Sequence, residues 1–187
     1  MHLAQLNVAR LRAPLDSPEI AEFVALLEPI NKISDGSPGF VWRLKESEDD
    51  PQATVQHAYG DDLVINFSVW ESRETLWNFV YRSAHLPVLQ RRREWFLHVA
   101  EPYAVMWWIP EGHVPALAEG MERLELLRRE GPTPRAFTFK DFHDAGDLLG
   151  GPGSSGGGDV LDGAAPSGGP YGSSEAASLP AAAEARK

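Results

Sequence analysis

The sequence predicts an α+β fold of the ferredoxin-like type, with a four-stranded antiparallel sheet, helices and an extra C-terminal helix. Periodicity and element order support this prediction. Several short segments alternate between apolar and polar residues, as strands with one buried face do. Segments between them repeat apolar residues at every third or fourth position, as amphipathic helices do. With the last helix set aside, the order is β-α-β-β-α-β, the split unit of the ferredoxin-like fold.

The first strand is predicted at residues 2–11, where Gln5 and Asn7 share one face. These polar side chains are either solvated or line a cavity, and the pattern leaves both interpretations open. A helix capped by its serine is predicted over residues 17–33, because apolar residues then recur at helical spacing. Pro29 is expected to kink this helix or to end it early.

A second strand is predicted at residues 40–44, and an acidic loop follows it at residues 45–62. His57 lies in this loop among carboxylates, a combination that occurs in metal sites. Its spacing from them matches no metal-ligand pattern, so we expect a solvated histidine and no metal.

The third strand is predicted at residues 63–70, with apolar residues on one face. Asn66, Ser68 and Trp70 lie on the other face, where we expect them to form walls of a pocket. Ser72 is predicted to cap the helix that follows, since serine accepts the free amide hydrogens of a first helical turn.

The remaining elements are predicted from breaks and apolar stripes. A break at residues 84–87 leads to a short helix at residues 88–97. A fourth strand is predicted at residues 102–110, and a last helix starts near residue 115 and stops at a Gly-Pro pair. Residues 137–139 are expected to form a short strand or an apolar latch.

Composition divides the 187 residues into a folded domain at residues 1–142 and a tail at residues 143–187. Eleven of the 17 glycines lie in the tail, and Ser, Ala and Pro fill most of the rest. Such a segment buries too little apolar surface to offset its ordering entropy, so we expect it to be disordered.

Charge and cysteine content exclude several classes of function. The net charge of −10 argues against nucleic acid and anionic membranes as partners, because both require a basic face. No apolar run reaches the roughly 18 residues that span a bilayer. The absence of cysteine excludes disulfides and cysteine nucleophiles, and it is compatible with the cytoplasm, where we expect the protein.

Residues 66–113 contain five of the six tryptophans, three of the six histidines and the arginine triplet that starts at Arg91. This density predicts a lined pocket. His85 is the main candidate for a general base, because imidazole titrates near neutral pH. Tyr81, four residues earlier, is expected to share its proton or to hold a substrate oxygen. The alternative is that His85 caps a helix end.

The consecutive arginines cover about 200° of a helix, so one or two of them can face a ligand while the others are solvated. A guanidinium such as that of Arg91 or Arg92 suits a carboxylate, an enolate or a phenolate. Trp95 and Trp107 are expected to stack on an aromatic ligand or to pack in the core. Trp107 and its neighbour Trp108 must face opposite sides of the sheet. His113 either closes the pocket mouth or is structural.

Several motifs together resemble the family known as domain of unknown function 3291. They are HLAQLNVARL, SPGFVWRL, NFSVWES, FVYRSAH followed by RRREWF, WWIPEGH and LELLRREGPTPRAFTF, and they span residues 2–140. This family is placed in the dimeric α/β-barrel superfamily, beside antibiotic-biosynthesis monooxygenases. The resemblance therefore implies a dimeric α/β barrel. It also implies a site at the matching positions, which are Tyr81, His85, Arg91, Arg92, Trp95, Trp107 and His113.

A homodimer is also expected from the pattern itself, because an apolar second sheet face must be covered and a second copy is the usual cover. Three functions are compatible with these features. The first is a cofactor-independent monooxygenase or isomerase acting on an aromatic or polyketide-like molecule. The second is a haem-binding relative with His85 or His113 as axial ligand. The third is a non-catalytic small-molecule-binding module.

Overall fold

The computed structural model describes residues 1–45 and 62–148. The strands are His2–Arg10 (β1), Phe40–Arg43 (β2), Leu63–Trp70 (β3) and Ala104–Ile109 (β4). The α-helices are Ala21–Asp35 (α1), Arg73–Arg82 (α2), His85–Gln90 (α3) and Leu117–Glu130 (α4), with 3₁₀ helices at Arg92–Glu94 and Ala145–Leu148. Most of the predicted acidic loop and residues 149–187 of the predicted tail lie outside the described residues.

The strands form one four-stranded sheet in the order β2-β3-β1-β4. Every neighbouring pair is antiparallel. This order confirms the predicted ferredoxin-like fold, in which the strands of each β-α-β unit are separated by another strand. β1 and β3 are the central strands and are hydrogen-bonded on both sides. Side chains that they carry are therefore held by the most rigid part of the sheet.

One face of the sheet is covered by α1 and α2. Phe23 of α1 packs in an apolar cluster with Val64 and Trp95. Leu76 of α2 packs in a second cluster with Trp70. Because alternate residues of a strand share a face, Gln5, Asn7 and Asn66 lie on this same covered face.

The opposite face is covered by α4. Leu124 of α4 is buried in a cluster with Phe67 and Trp107. Gly120 allows the helix to approach closely, since a Cβ at this position would lie 3.0 Å from the Leu6 side chain and 3.3 Å from Phe67. Leu6 is 0% exposed and Phe67 is 1% exposed, so this apolar face is buried within a single chain.

The burial by α4 bears on the predicted homodimer. One reason for that prediction was that the apolar face requires a second copy to cover it, and this reason does not hold. The other reason is the resemblance to dimeric α/β barrels, which the fold of one chain does not address. The homodimer itself stays a prediction.

Helix α1 begins later than predicted. Residues 17–20 form a turn, in which the Ile20 amide donates to the Ser17 carbonyl at 3.0 Å. The prediction that Ser17 caps α1 is therefore wrong, and the N-cap residue Ile20 makes no side-chain cap bond. Pro29 lies inside α1 and does not end it, because the helix continues to Asp35.

The break between α2 and α3 falls at residues 83–84, slightly earlier than predicted. Ser83, the C-cap of α2, is extended, with φ −105° and ψ −177°. Its hydroxyl donates to the Phe79 carbonyl and accepts the His85 amide hydrogen at 3.1 Å. His85 is consequently the first residue of α3. Pro87 then lies in the first turn, where a missing N–H leaves no helical bond unmade.

The segment after α4 returns to β4. Phe137 exchanges two backbone hydrogen bonds with Met106, at 2.8 and 2.9 Å. The Trp108 indole donates to the His143 carbonyl at 2.8 Å. Residues 143–148 thus belong to the described structure, although the predicted domain boundary precedes them. The disorder predicted for the rest of the tail concerns residues outside the described ranges and stays a prediction.

Gly39, which precedes β2, is expected to tolerate no side chain. Its φ is +74°, and a Cβ would lie 2.4 Å from the Thr75 side chain. Thr75 cannot easily rotate away, because its hydroxyl accepts the Ser72 amide in the capping box of α2. We expect Gly39→Ala to lower the free energy of unfolding by about 2–4 kcal/mol, from backbone strain and overpacking together.

Gly112→Ala is the matched control for this prediction. Gly112 has a similar φ of +80°, but no atom of the described residues lies within 4 Å of its added Cβ. This variant should lose only about 1–2 kcal/mol, from strain. Urea unfolding of both variants measures the difference, and equal losses would contradict the role assigned to Thr75.

Candidate functional site

A cavity of about 180 Å³ lies between the sheet and the layer formed by α1, α2 and α3. A cavity of about 150 Å³ accommodates benzene, so the enclosed space suits roughly one aromatic ring. Leu97 and Val99 line the cavity and are 50% and 41% exposed, which identifies their segment as part of its mouth. A larger ligand would extend past them into solvent.

The floor of the cavity carries three carboxamides. Asn7 of β1 and Asn66 of β3 are directly paired across the two strands, and Gln5 lies two residues along β1 on the same face. Directly opposite side chains on antiparallel strands have Cβ atoms about 4.5–5.5 Å apart. Asn7 and Asn66 are therefore close enough to bind the same group of a ligand.

The orientation of Gln5 follows from a chain of hydrogen bonds. The Trp70 indole donates to the Ser68 hydroxyl at 2.9 Å, and that hydroxyl donates to the Gln5 oxygen at 3.1 Å. An indole nitrogen can only donate, so the Ser68 hydroxyl accepts from Trp70 and has its own proton to give to the Gln5 oxygen. The carbonyl oxygen of Gln5 thus faces Ser68. Ser68 and Trp70 are buried, and their hydrogen bonds hold the Gln5 side chain in position on the cavity floor.

His85 lines the cavity from the first turn of α3. Its Nδ1 lies 3.3 Å from the Val80 carbonyl oxygen. Because a carbonyl only accepts, Nδ1 carries the proton and Nε2 keeps its lone pair. Burial lowers the pKa of His85 below its usual value of 6.5, and the bond to Val80 opposes this effect. The neutral imidazole is thus the dominant form at pH 7.

Arg92 and Tyr103 form a second polar group on the cavity wall. The Arg92 guanidinium donates to the Tyr103 hydroxyl and lies 4.9 Å from the centre of its ring. Burial raises the pKa of Tyr103, while Arg92 lowers it. The phenol therefore stays protonated near neutral pH. Among the described lining residues there is no Asp or Glu, whereas Arg92 and Arg93 are cations, so the described part of the wall carries positive charge.

Comparison with protein families identifies the chain. The model of the domain of unknown function DUF3291 matches residues 2–149. The chain belongs to the DUF3291 family. This match confirms the resemblance noted from the sequence motifs. A comparison with curated proteins finds no match.

Several solved structures have limited similarity to this DUF3291 chain. One is SnoaB, a cofactor-independent oxygenase from Streptomyces nogalater, with 15% identity, a TM-score of 0.40 and coverage of 59% of this chain and 94% of SnoaB. Another is a dabb family protein with a ferredoxin-like fold from Mesorhizobium loti, with 14% identity, a TM-score of 0.35 and coverage of 60% and 100%. Similarity at this level carries no information on reaction or substrate.

Arg91 does not line the cavity of this DUF3291 chain, so of Arg91 and Arg92, the two arginines proposed for the site, Arg92 alone lies on its wall. The Arg91 guanidinium binds Glu22 at 2.6 Å and Glu94 at 2.7 Å on the protein surface. Glu22 and Glu94 raise the pKa of Arg91. The Arg91 guanidinium also lies over the Trp95 ring, 4.9 Å from its centre. Trp95 is 2% exposed and lines the cavity.

Trp107 and His113 lie outside the cavity, because β4 points Trp107 towards α4 on the opposite face of the sheet. The Trp107 indole donates to Glu119 at 2.9 Å, and His113 lies 2.8 Å from the other oxygen of the same carboxylate. The structure therefore does not bring Trp107 and His113 together with His85 in one pocket. Trp108 faces the side of α2, as the alternation of a strand predicts.

Tyr81 lies near the cavity without lining it. Its ring packs against Trp77, with centroids 4.3 Å apart, and against Phe139. Burial raises the pKa of Tyr81, and its neighbours Tyr103 and Arg92 have smaller, opposite effects. Among the described residues no hydrogen bond joins Tyr81 to His85, so the predicted role of Tyr81 as the proton partner of His85 stays a prediction.

Gln5, Asn7 and Tyr103 were not selected as site residues from the sequence. For Gln5 and Asn7 the signal was their alternation with apolar residues in β1, which was equally compatible with solvation. Tyr103 immediately precedes β4, and no sequence pattern connects it with Arg92.

Of the two histidines predicted as axial ligands of haem, His85 lines the cavity. Haem has four pyrrole rings and would extend from the space of about 180 Å³ into solvent. His113, the second candidate for an axial ligand, lies on the other side of the sheet. Within residues 1–45 and 62–148, no group of three or more His, Asp or Glu is arranged to hold a metal ion. No described helix is long and apolar enough to cross a membrane.

Proposed function

We propose that this DUF3291 protein is a small-molecule enzyme that removes a proton from an aromatic or polyketide-like substrate. The observation that carries this proposal is the state of His85. Its Nδ1 proton is committed to the Val80 carbonyl, its pKa is lowered by burial, and it lines a cavity with room for a ring. A neutral imidazole with one free nitrogen is a general base that is ready at neutral pH.

The other cavity groups support the same chemistry. Removal of a proton from a phenol, or from a carbon next to a carbonyl, leaves a phenolate or an enolate. Arg92 lines the cavity and can donate hydrogen bonds to that oxyanion, while Trp95 supplies an apolar ring surface. The absence of carboxylates among the described lining residues also favours this oxyanion, because no negative charge on the described wall opposes it.

The carbanion that proton removal creates has two outcomes, neither of which needs an organic cofactor. Return of the proton to a different carbon is an isomerisation. Reaction of a CH₂ group with molecular oxygen gives a C=O group and one water, which is an oxygenation. Both begin with the step assigned to His85, and this step can be measured without knowledge of the final product.

The experiment is solvent hydrogen exchange. Aromatic ketones, with and without ring hydroxyl groups, are incubated with the protein in D₂O, and deuterium at the carbon next to the carbonyl is measured by mass spectrometry. We expect the wild type to accelerate exchange over buffer for at least one compound. A protein that binds such compounds without accelerating exchange or consuming oxygen would be a non-catalytic binding module instead.

A further inference from the structure

The amide nitrogen of Gln5 is a buried donor without a partner. Gln5 is 6% exposed and lines the cavity, and among the described residues no acceptor is hydrogen-bonded to its Nε2. Leaving a buried polar group unpaired is unfavourable, and such groups are rare in folded proteins. Because Gln5 lines the cavity, a ligand acceptor that reaches this part of the cavity floor would satisfy the donor.

Turning the Gln5 amide over would exchange one unpaired group for another. The Ser68 hydroxyl accepts from Trp70 and donates to the Gln5 oxygen at 3.1 Å. A flipped amide could donate to the second lone pair of this hydroxyl, but the Ser68 proton and the Gln5 oxygen would then lose the bond between them. Trp70 is 0% exposed and stacked on Phe79. These contacts hold the Trp70 indole, the first donor in the chain of hydrogen bonds, in place.

We propose that Gln5 selects ligands with a carbonyl oxygen, specifically aromatic ketones or quinones, by donating a hydrogen bond from Nε2 to that oxygen. A carbonyl oxygen accepts and cannot donate, so it matches the fixed orientation of the amide. The ring of such a ligand matches the size of the cavity. The inference rests on the proposed function only in using the same cavity, since the same oxygen becomes the oxyanion when His85 removes a proton.

Two probes of nearly equal shape test this selectivity. Acetophenone has a C=O group where α-methylstyrene has C=CH₂, so they differ mainly in the acceptor oxygen. Their Kd values are measured by ligand-observed NMR titration for the wild type and for Gln5→Met. We expect the ratio of the α-methylstyrene Kd to the acetophenone Kd to fall by about threefold to tenfold in the variant, the usual worth of one net hydrogen bond.

Two further variants make the test specific. Gln90→Met makes the same chemical change at an exposed position outside the cavity, and its Kd ratio should equal that of the wild type. Ser68→Ala keeps Gln5 but releases the orientation of its amide, so the ratio should fall by less than in Gln5→Met. Ser68→Ala also provides the answer if Gln5→Met does not fold, which thermal unfolding shows.

An unchanged Kd ratio in a folded Gln5→Met, or in Ser68→Ala where Gln5→Met is unfolded, would overturn the inference. So would a wild type that binds neither probe up to its solubility limit. The proposed function fails separately. If the ratio depends on Gln5 but no compound exchanges hydrogen faster with protein than in buffer, carbonyl selection stands and general-base catalysis does not. If instead the protein accelerates hydrogen exchange but the Kd ratio does not depend on Gln5, general-base catalysis stands and carbonyl selection by Gln5 does not.

Discussion

Replacing His85 with asparagine is expected to lower the rate of proton removal by about 10²–10⁴, the usual contribution of a general base. The side-chain amide of asparagine can take the place of Nδ1–H and donate to the Val80 carbonyl, but it has no basic nitrogen where Nε2 lies. This substitution therefore removes the base and keeps the structural hydrogen bond. The rate of hydrogen exchange into the ketone measures the effect.

His85→Ala separates catalysis from structure. It loses both the base and the bond to Val80, so its rate should match that of His85→Asn. Its free energy of unfolding should be lower by about 1–3 kcal/mol, because the Val80 carbonyl is left without this donor. If His85→Asn keeps the wild-type rate, or if the alanine variant loses stability but no activity, His85 is only a structural residue.

The pH dependence of the same variants provides an independent check. Since burial lowers the pKa of folded His85 below 6.5, the folded state binds fewer protons than the unfolded state around that pH. The contribution of His85 to stability is thus complete above pH 6.5 and is lost as the pH falls through the folded pKa. The acidic limb of kcat/KM should also lie below pH 6.5, and His85→Asn should lose both dependences.

Arg92→Leu is expected to lower kcat/KM by about 10²–10³, the effect of removing one donor to a developing oxyanion. It deletes the Arg92 guanidinium from the cavity wall and removes the hydrogen bond that this group donates to Tyr103. The loss should appear mainly in kcat, because the negative charge on the oxygen is complete only after proton removal. Steady-state kinetics on the best substrate of the exchange assay measures it.

Arg91→Leu is the neighbouring control. It makes the same change one residue earlier, at a guanidinium that binds Glu22 and Glu94 on the surface. Exposed ion pairs contribute about 0–1 kcal/mol, so both kcat/KM and stability should change little. Equal losses of activity in the two variants would show that the positive charge acts at a distance and that no arginine binds the substrate directly.

The fold could be predicted because its signals are local. Alternation assigned Asn66 and Phe67 to opposite faces of β3, and the capping serine at Ser72 marked the start of α2. The position of α4 could not be predicted. The apolar stripe that includes Leu124 shows that one side of this helix is buried, but it does not show which surface covers it.

The candidate site was less predictable because its geometry depends on contacts between distant segments. Successive helical residues differ by about 100° in direction, so the choice between Arg91 and Arg92 depends on the change from α3 to a 3₁₀ turn. The free amide of Gln5 depends on Ser68 and Trp70, more than 60 residues away in the sequence. No pattern in a single segment encodes either fact.

The two faces of β3 have different roles, and this restricts where residues can be inserted into or deleted from the chain. Its odd-numbered residues, such as Phe67, pack under α4, while its even-numbered residues, such as Asn66 and Ser68, serve the cavity. Deleting or inserting one residue in the middle of β3 would exchange the two sets from that point onward, placing amides in the core and a phenyl ring in the site. Relatives should therefore differ in β3 by substitution and carry their insertions and deletions in the connections between elements.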